Sequence, residues 1–542
     1  MSASKKHARS TSTDDVLKHP STKRAKEIDQ TTPYDTLTDL LPIEPKPNTK
    51  KKNAILHWFR SKDLRMQDNK ALHAASQKAS ETQGAHLIAL YLWSPKDILW
   101  HGTSPARVDF LLESLRLLQK ELEREKGIPL HIITAEERGE KTAKVVEFVK
   151  GNGIGEVFAN FEYEVDELRR DISVAKALEE EGVGFGLWHD QTVVEPGSLV
   201  TGSGGPHKVF TPYHKAWLAE TKDSSELLDV VPEPEGNDKA AKEELKGLFG
   251  SAIPEAPTEK AFTSKEERER IRKLWPAGHQ AGMQRLEDFL DKKVKHYATH
   301  RSEPARDPSS RLSPYFASGI IGLRETLART LQANSNQHFD AGDPGIASWV
   351  REIVFREFYR HIMLIIPHNS LNLPQNLKFD FVHWETDEEG YKKWEEGKTG
   401  VPFIDAGMRQ LNHEAYMHNR LRMNVSSYLR ANLLIDYRRG ERYFAEKLID
   451  WDLCNNTQGW EPSYTIFNPV VQAEKCDKEG EYIRKWVPEL KDVRGKAVFD
   501  PYHRLERKEF EKLGYPAPHV DFGETSRRAK ERYKHDLAEA DP

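Results

Sequence analysis

Two hydrophobic periods divide the chain. Between residues 53 and 190, short apolar runs alternate with helical pattern. Ala54-Ile-Leu-His-Trp-Phe59, His86-Leu-Ile-Ala-Leu-Tyr-Leu92, Pro129-Leu-His-Ile-Ile133 and Glu156-Val-Phe-Ala159 read as buried strands, since continuous apolar runs of this length suit strands covered on both faces. Between the second and third runs, residues 107–126 set Val108, Leu111, Leu112, Leu115, Leu118 and Leu122 on one helical face. Val174 and Leu178 repeat the theme before Phe185-Gly-Leu-Trp188. Such alternation predicts crossover units and a parallel sheet. From about Leu274 the pattern is helical, with apolar residues at three- and four-residue spacing over 285–297, 322–332, 346–366 and 403–434. The expected fold is an α/β domain with a parallel sheet (53–190), a polar connector (191–273), an all-helical domain (274–500) and a C-terminal extension (501–542).

A length of 542 residues exceeds one core and agrees with this division. The formal charge of −5 does not announce a nucleic-acid binder, so any such contact needs a local basic surface. Cys454 and Cys476 offer neither a disulfide framework nor metal-ligand spacing, and read as reduced thiols of an intracellular protein. No apolar run is long enough to cross a bilayer. The first fifty residues are rich in Ser, Thr, Pro, Lys and Asp and are expected to be a disordered tail (1–52). Its basic clusters, Lys5-Lys6-His-Ala-Arg9, Lys23-Arg-Ala-Lys26 and Lys50-Lys-Lys52, fit either a solvated tail or a nuclear import signal. Asp14 and Asp15 speak against a mitochondrial transit peptide.

The chemistry concentrates between Asp405 and Asn456, where Asp405-Ala-Gly-Met-Arg-Gln-Leu, Met417-His-Asn-Arg-Leu-Arg-Met423 and Asp450-Trp-Asp-Leu-Cys-Asn-Asn456 put polar groups inside apolar helical sequence. Buried polar groups must be paired or bind something. Ser309-Ser-Arg-Leu-Ser313 adds hydroxyls and N–H groups at a helix start, a fair phosphate cradle but more often a plain cap. No GxGxxG follows the first strand, so an ordinary dinucleotide fingerprint is lacking.

Together these segments resemble the photolyase/cryptochrome family, most closely the class I branch that splits cyclobutane pyrimidine dimers in DNA. Phe59-Arg-Ser-Lys-Asp-Leu-Arg65 with Asp68-Asn69, Gly205-Pro-His-Lys-Val-Phe-Thr-Pro212 and Trp275-Pro-Ala-Gly278 also match. The resemblance implies reduced, anionic FAD held by Tyr297, Ser309, Ser310, Arg311, Leu312, Ser313, Trp349, Glu352, Arg356, Asn419, Arg422, Asp450, Trp451, Asp452 and Asn456. In this reading Asp450 and Arg422 pair beside the ring, and Asn456 faces its N5. The implied partner is UV-damaged DNA with its dimer flipped out. Arg301, Glu352, Phe355, Arg356, Asn419, Arg420 and Met423 would meet the DNA, with Glu352 hydrogen-bonded to the dimer carbonyl. Trp460, Tyr437 and Trp384 map to an electron relay. The segment Asn160-Phe-Glu-Tyr-Glu-Val-Asp-Glu167 resembles one that contacts a folate antenna, although Leu371 stands where a lysine is expected. A monomer that reaches the nucleus with the import machinery is anticipated.

Three departures temper this. Phe355 replaces a stacking Trp. About ten family positions are missing between Trp460 and Phe467-Asn-Pro469, leaving Thr465 at an arginine position. Tyr437 replaces the middle Trp of the relay. The runner-up expectation is a cryptochrome that keeps flavin but not repair. Action on (6-4) lesions is disfavoured because only His418 occurs in 417–423.

Overall fold

The computed structural model describes residues 18–46 and 54–542. Five parallel strands, β1 (Ala54–Phe59), β2 (His86–Trp93), β3 (Leu130–Thr134), β4 (Ile154–Asn160) and β5 (Gly184–Trp188), form one sheet in the order β3-β2-β1-β4-β5. β1 is central, pairs Ala54 with His86 and with Ile154, and is buried along its whole length. Both faces are covered: Ile55 and Phe59 join a cluster with Leu111 and Leu115, whereas Leu56 and Trp58 join Val145 and Val174. That two-sided burial is why β1 reads as an unbroken apolar run.

The remainder is helical, as expected. Its axis is Pro344–Ile365, 22 residues capped by Asp343 and buried over most of its faces. The pattern over 403–434 is not one helix. Pro402–Glu414 stops at Ala415, whose φ of 52° is left-handed, and Asn419–Ser427 restarts on the side chain of His418. The connector reaches the core. Helix Phe210–Asp223 buries Trp217, whose Nε1–H donates to Glu357 at 2.9 Å.

The opening motif proves structural. Arg324 donates to Asp68 at 2.7 Å and to Asp190 at 2.6 Å, and Arg65 also pairs with Asp190, all fully buried between the two halves. Gly319 (φ 59°) lets Lys62 come so close that a Cβ there would meet its carbonyl oxygen at 1.8 Å.

The tail expected to be disordered is ordered over 18–46. Helices Thr22–Gln30 and Pro33–Thr38 start on the side chains of Ser21 and Thr32. Ala25, Ile28 and Leu37 are buried, and Ile43 bridges Phe185 at the sheet edge with bonds of 3.0 and 2.9 Å. Asp29 holds His368 at 2.6 Å. The segment turns its few apolar groups inward, and its polar composition conceals them. Lys5–Arg9 and Lys50–Lys52 lie outside the described residues; Lys23 and Lys26 are exposed. The C-terminal stretch is likewise integrated: Phe522–Glu539 packs on the helical half through Tyr533 and Ala529.

Candidate flavin and DNA site

Ser313 opens the short helix Ser313–Ala317, with Pro314 in its first turn. Its hydroxyl donates to Asp450 Oδ2 at 2.6 Å, and Arg422 Nη2 donates to the same oxygen at 2.7 Å. Asp450 Oδ1 is buried and accepts no hydrogen bond from the described residues. Arg422 also donates to the Met417 carbonyl at 2.8 Å and lies over the Tyr416 ring at 5.3 Å. The expected Asp450–Arg422 pair is therefore formed, with one acceptor left for something else. Tyr416 reaches Ser309 Oγ at 3.3 Å, linking this corner to the Ser309–Ser310–Arg311 turn. That turn, with Arg311 at φ 53°, borders a hollow of about 790 Å³ that also meets Arg285, Lys292 and Lys293.

Asp452 caps helix Leu453–Trp460 by accepting from Asn455 N at 3.0 Å. It also pairs with fully buried Arg360, while Arg356 stands off at 3.9 Å. Burial alone would raise this carboxyl; Arg360 and Arg356 overcome it and hold it far below its ordinary value. Arg360 was not anticipated from sequence. Its signal was present: it lies one helical turn beyond Arg356, on the same face. Asn456 Nδ2 donates to the Glu441 carbonyl at 2.9 Å, which fixes the amide's orientation. Tyr297 and Trp349 both pack on Phe289, with centroids 5.6 and 5.1 Å away.

Glu352 pairs with Arg301 rather than with Arg356 four residues on. Arg356 instead donates to the Phe316 carbonyl at 2.6 Å. Burial raises the Glu352 carboxyl above its ordinary value in spite of Arg301, Arg351 and Arg420. Arg420 donates to Ser302 at 2.9 Å and lies beside the Met423 sulfur, and its Nε is buried with no partner among the described residues. Asn419 starts the helix that carries both Arg420 and Met423. His418 is pushed down to about 4 by burial, so its neutral ring accepts from Arg420 N at 3.2 Å.

Phe355 has one ring face taken: Phe210, from the Gly205–Pro212 motif, covers it with centroids 3.3 Å apart and planes 8° from parallel. Asp405 is answered by protein alone, accepting from Thr399 N and Oγ1 at 2.7 Å and from Tyr515. Of the three relay rings, Trp384 and Tyr437 touch at 6.2 Å. Trp460 packs on Phe444 and Trp394 and lies over Gly440, where a Cβ would meet the indole at 2.2 Å. Gly440 is one turn from Tyr437 on the same helix.

A ligand with phosphates, hydroxyls and a planar ring fits this donor set: serine hydroxyls and N–H groups at the turn, and a buried acceptor and guanidinium at the corner. Residues 349–535 match the FAD binding domain of DNA photolyase, and residues 55–235 match DNA photolyase. A Neurospora crassa protein named deoxyribodipyrimidine photo-lyase is 40% identical over 510 residues, covering 90% of this chain and 82% of the relative. The chain belongs to the DNA photolyase family. Among solved structures, a class III photolyase from Agrobacterium tumefaciens superposes with a TM-score of 0.76 at 29% identity, covering 91% of this chain and 99% of that one. A Sulfolobus tokodaii photolyase described with two FAD molecules does so with 0.68 at 28% identity, covering 89% and 100%.

Proposed function

We propose that this chain is a deoxyribodipyrimidine photo-lyase that repairs cyclobutane pyrimidine dimers in UV-damaged DNA with light. One observation carries the reading: a buried corner, Asp450 beside Arg422 with one oxygen open, lies in the same fold as Glu352 and its cationic neighbours Arg301, Arg351 and Arg420. The chemistry that reduced FAD would supply when bound there is a light-driven electron for opening the dimer's ring. Arg422 and Asn456 favour the flavin's anionic form. Arg301 and Arg420 take phosphates of the damaged strand, which position it without reading sequence. Asn419 and Met423 meet the flipped dimer, whose extrusion costs a few kcal/mol. As Arg301 turns to phosphate, Glu352 is released. Its raised proton affinity equips it to donate a hydrogen bond to the dimer carbonyl as negative charge builds there. The cryptochrome alternative draws on Phe355, one face of whose ring is already covered by Phe210. Illumination of reduced protein with dimer-containing single-stranded DNA tests the choice: intact bases should reappear, and flavin binding without repair would favour the alternative.

A folate antenna on residues 160–167 would meet the hollow that Glu162, Glu164 and Glu167 border with Lys62 and His101, while Tyr34 lies against Phe161 at 5.7 Å and bonds His189 at 3.2 Å. A pterin absorption band in purified protein checks it. The chain acts as a monomer and enters the nucleus by its basic clusters, a reading supported by charge alone.

A further inference from the structure

The relay reading leaves Trp384 as its outermost ring, yet Trp384 is not the last ring of the row. Its Nε1–H is buried and has no partner among the described residues. Beyond it stands Tyr533 of the C-terminal helix, 6.0 Å away at 71° and fully buried. Beyond Tyr533 stands Tyr464, 6.2 Å away at 77° and 54% exposed. All these spacings are those of rings in contact. Tyr464 sits in the shortened segment after Trp460, and that segment is pinned. Arg430 donates to the carbonyls of Ser463 at 2.6 Å and Thr465 at 2.8 Å, and its own carbonyl accepts the Tyr533 hydroxyl at 2.5 Å. Glu461 accepts from Gln375 N at 3.0 Å. One arginine thus holds both outer rings of the row.

We infer that Tyr464 is the terminal station of the relay, reached from Trp384 through Tyr533, and that a small soluble reductant of the thiol or ascorbate class delivers its electron there. The inference rests on the flavin reading above. Trp460 gives one electron to the excited flavin. Tyr437, Trp384, Tyr533 and Tyr464 each pass one electron inward in turn, so the deficit ends on Tyr464. Its phenol then releases a proton to bulk water and becomes a neutral radical. The reductant returns one electron, water returns the proton, and the donor is oxidised by one electron.

Proton transfer sets the direction. An oxidised phenol is a strong acid and stays oxidised only where a base takes its proton. The Tyr437 hydroxyl is buried without a partner among the described residues, and burial holds its proton tightly. Tyr533 donates to a peptide carbonyl, which cannot accept the proton outright. Of the three phenols, Tyr464 is the one that meets water. Neighbouring Phe379, 5.9 Å from Tyr464, is too hard to oxidise to serve.

The test uses holoprotein with oxidised flavin, illuminated without reductant. Electron paramagnetic resonance should show a tyrosyl radical, and peptide mapping after nitroxide trapping should place the adduct on Tyr464. Dark nitration with tetranitromethane should modify Tyr464 and spare Tyr437 and Tyr533, a readout that needs no flavin. Tyr464→Phe, at an exposed position, should abolish the signal and the adduct and speed charge recombination about tenfold or more. Tyr533→Phe should do the same, and Tyr533→Trp should restore the adduct. A tryptophanyl signal in the wild type, or an unchanged signal and lifetime in Tyr464→Phe, overturns the assignment. Protein that purifies without flavin overturns the flavin reading as well, whereas flavin bleaching with a tryptophanyl signal overturns this inference alone.

Discussion

At Asp450 two donors converge on one carboxylate oxygen and leave the other bare. Removing that carboxylate strands the Arg422 charge, and breaking such a buried pair costs about 3–5 kcal/mol. Asp450→Ala should therefore lower flavin retention by about a hundredfold or more, read as flavin absorbance per protein after gel filtration. Full occupancy would sink the pairing's role. Asp190 is a second test at this scale. Burial alone would raise it, but Arg65 and Arg324 hold it well below its ordinary value. Folded, it binds fewer protons than unfolded, so its contribution is complete above the unfolded value of about 4 and is lost as pH falls below it. Asp190→Asn should lower neutral stability by about 3–5 kcal/mol and flatten the acid limb of the urea-midpoint profile. An acid limb as steep as wild type would contradict the assignment. The family resemblance paired Asp450 with Arg422, and the two meet beside Ser313. What meets Asp405 and Phe355 was not legible, because nothing local says that Tyr515 and Phe210 arrive from more than a hundred residues away.

Elements were legible where one period ran unbroken. The five strands and the Pro344–Ile365 helix follow from their apolar patterns. The break at Ala415 did not show, since alanine normally favours helix and its left-handed backbone is imposed from outside. The N-terminal segment escaped for another reason: its few apolar residues, among them Ala25, Ile28, Leu37 and Ile43, are diluted in a polar background. Its burial makes a prediction. Leu37→Ala should cost about 2–5 kcal/mol in thermal unfolding, as large-to-small changes in cores do. A neutral Leu37→Ala would mean the segment only rests on the surface. Loss of nuclear accumulation on changing Lys5, Lys6, Arg9, Lys23, Arg24, Lys26, Lys50, Lys51 and Lys52 together to Ala would support the import reading, and unchanged accumulation would overturn it.

Across the whole molecule, a net charge of −5 coexists with a cationic rim around Glu352. Binding to single-stranded DNA should therefore weaken with salt. Arg301→Ala and Arg420→Ala each take one cation from the phosphates, and each should lower the log–log slope by about 0.7. The proposed repair requires that Glu352 act on the dimer rather than on a neighbouring arginine. Glu352→Ala frees Arg301 and should preserve or tighten DNA binding. It also removes a hydrogen bond that strengthens only as the dimer gains charge, and losing such a donor costs roughly tenfold or more in the reacting step. The direct measurement is dimers split per absorbed photon, normalised to the fraction of DNA bound, for wild type and Glu352→Ala with reduced flavin. A clear fall in yield at equal occupancy is the predicted result; equal yields in the two proteins would reduce Glu352 to the ion-pair partner of Arg301 and contradict the account.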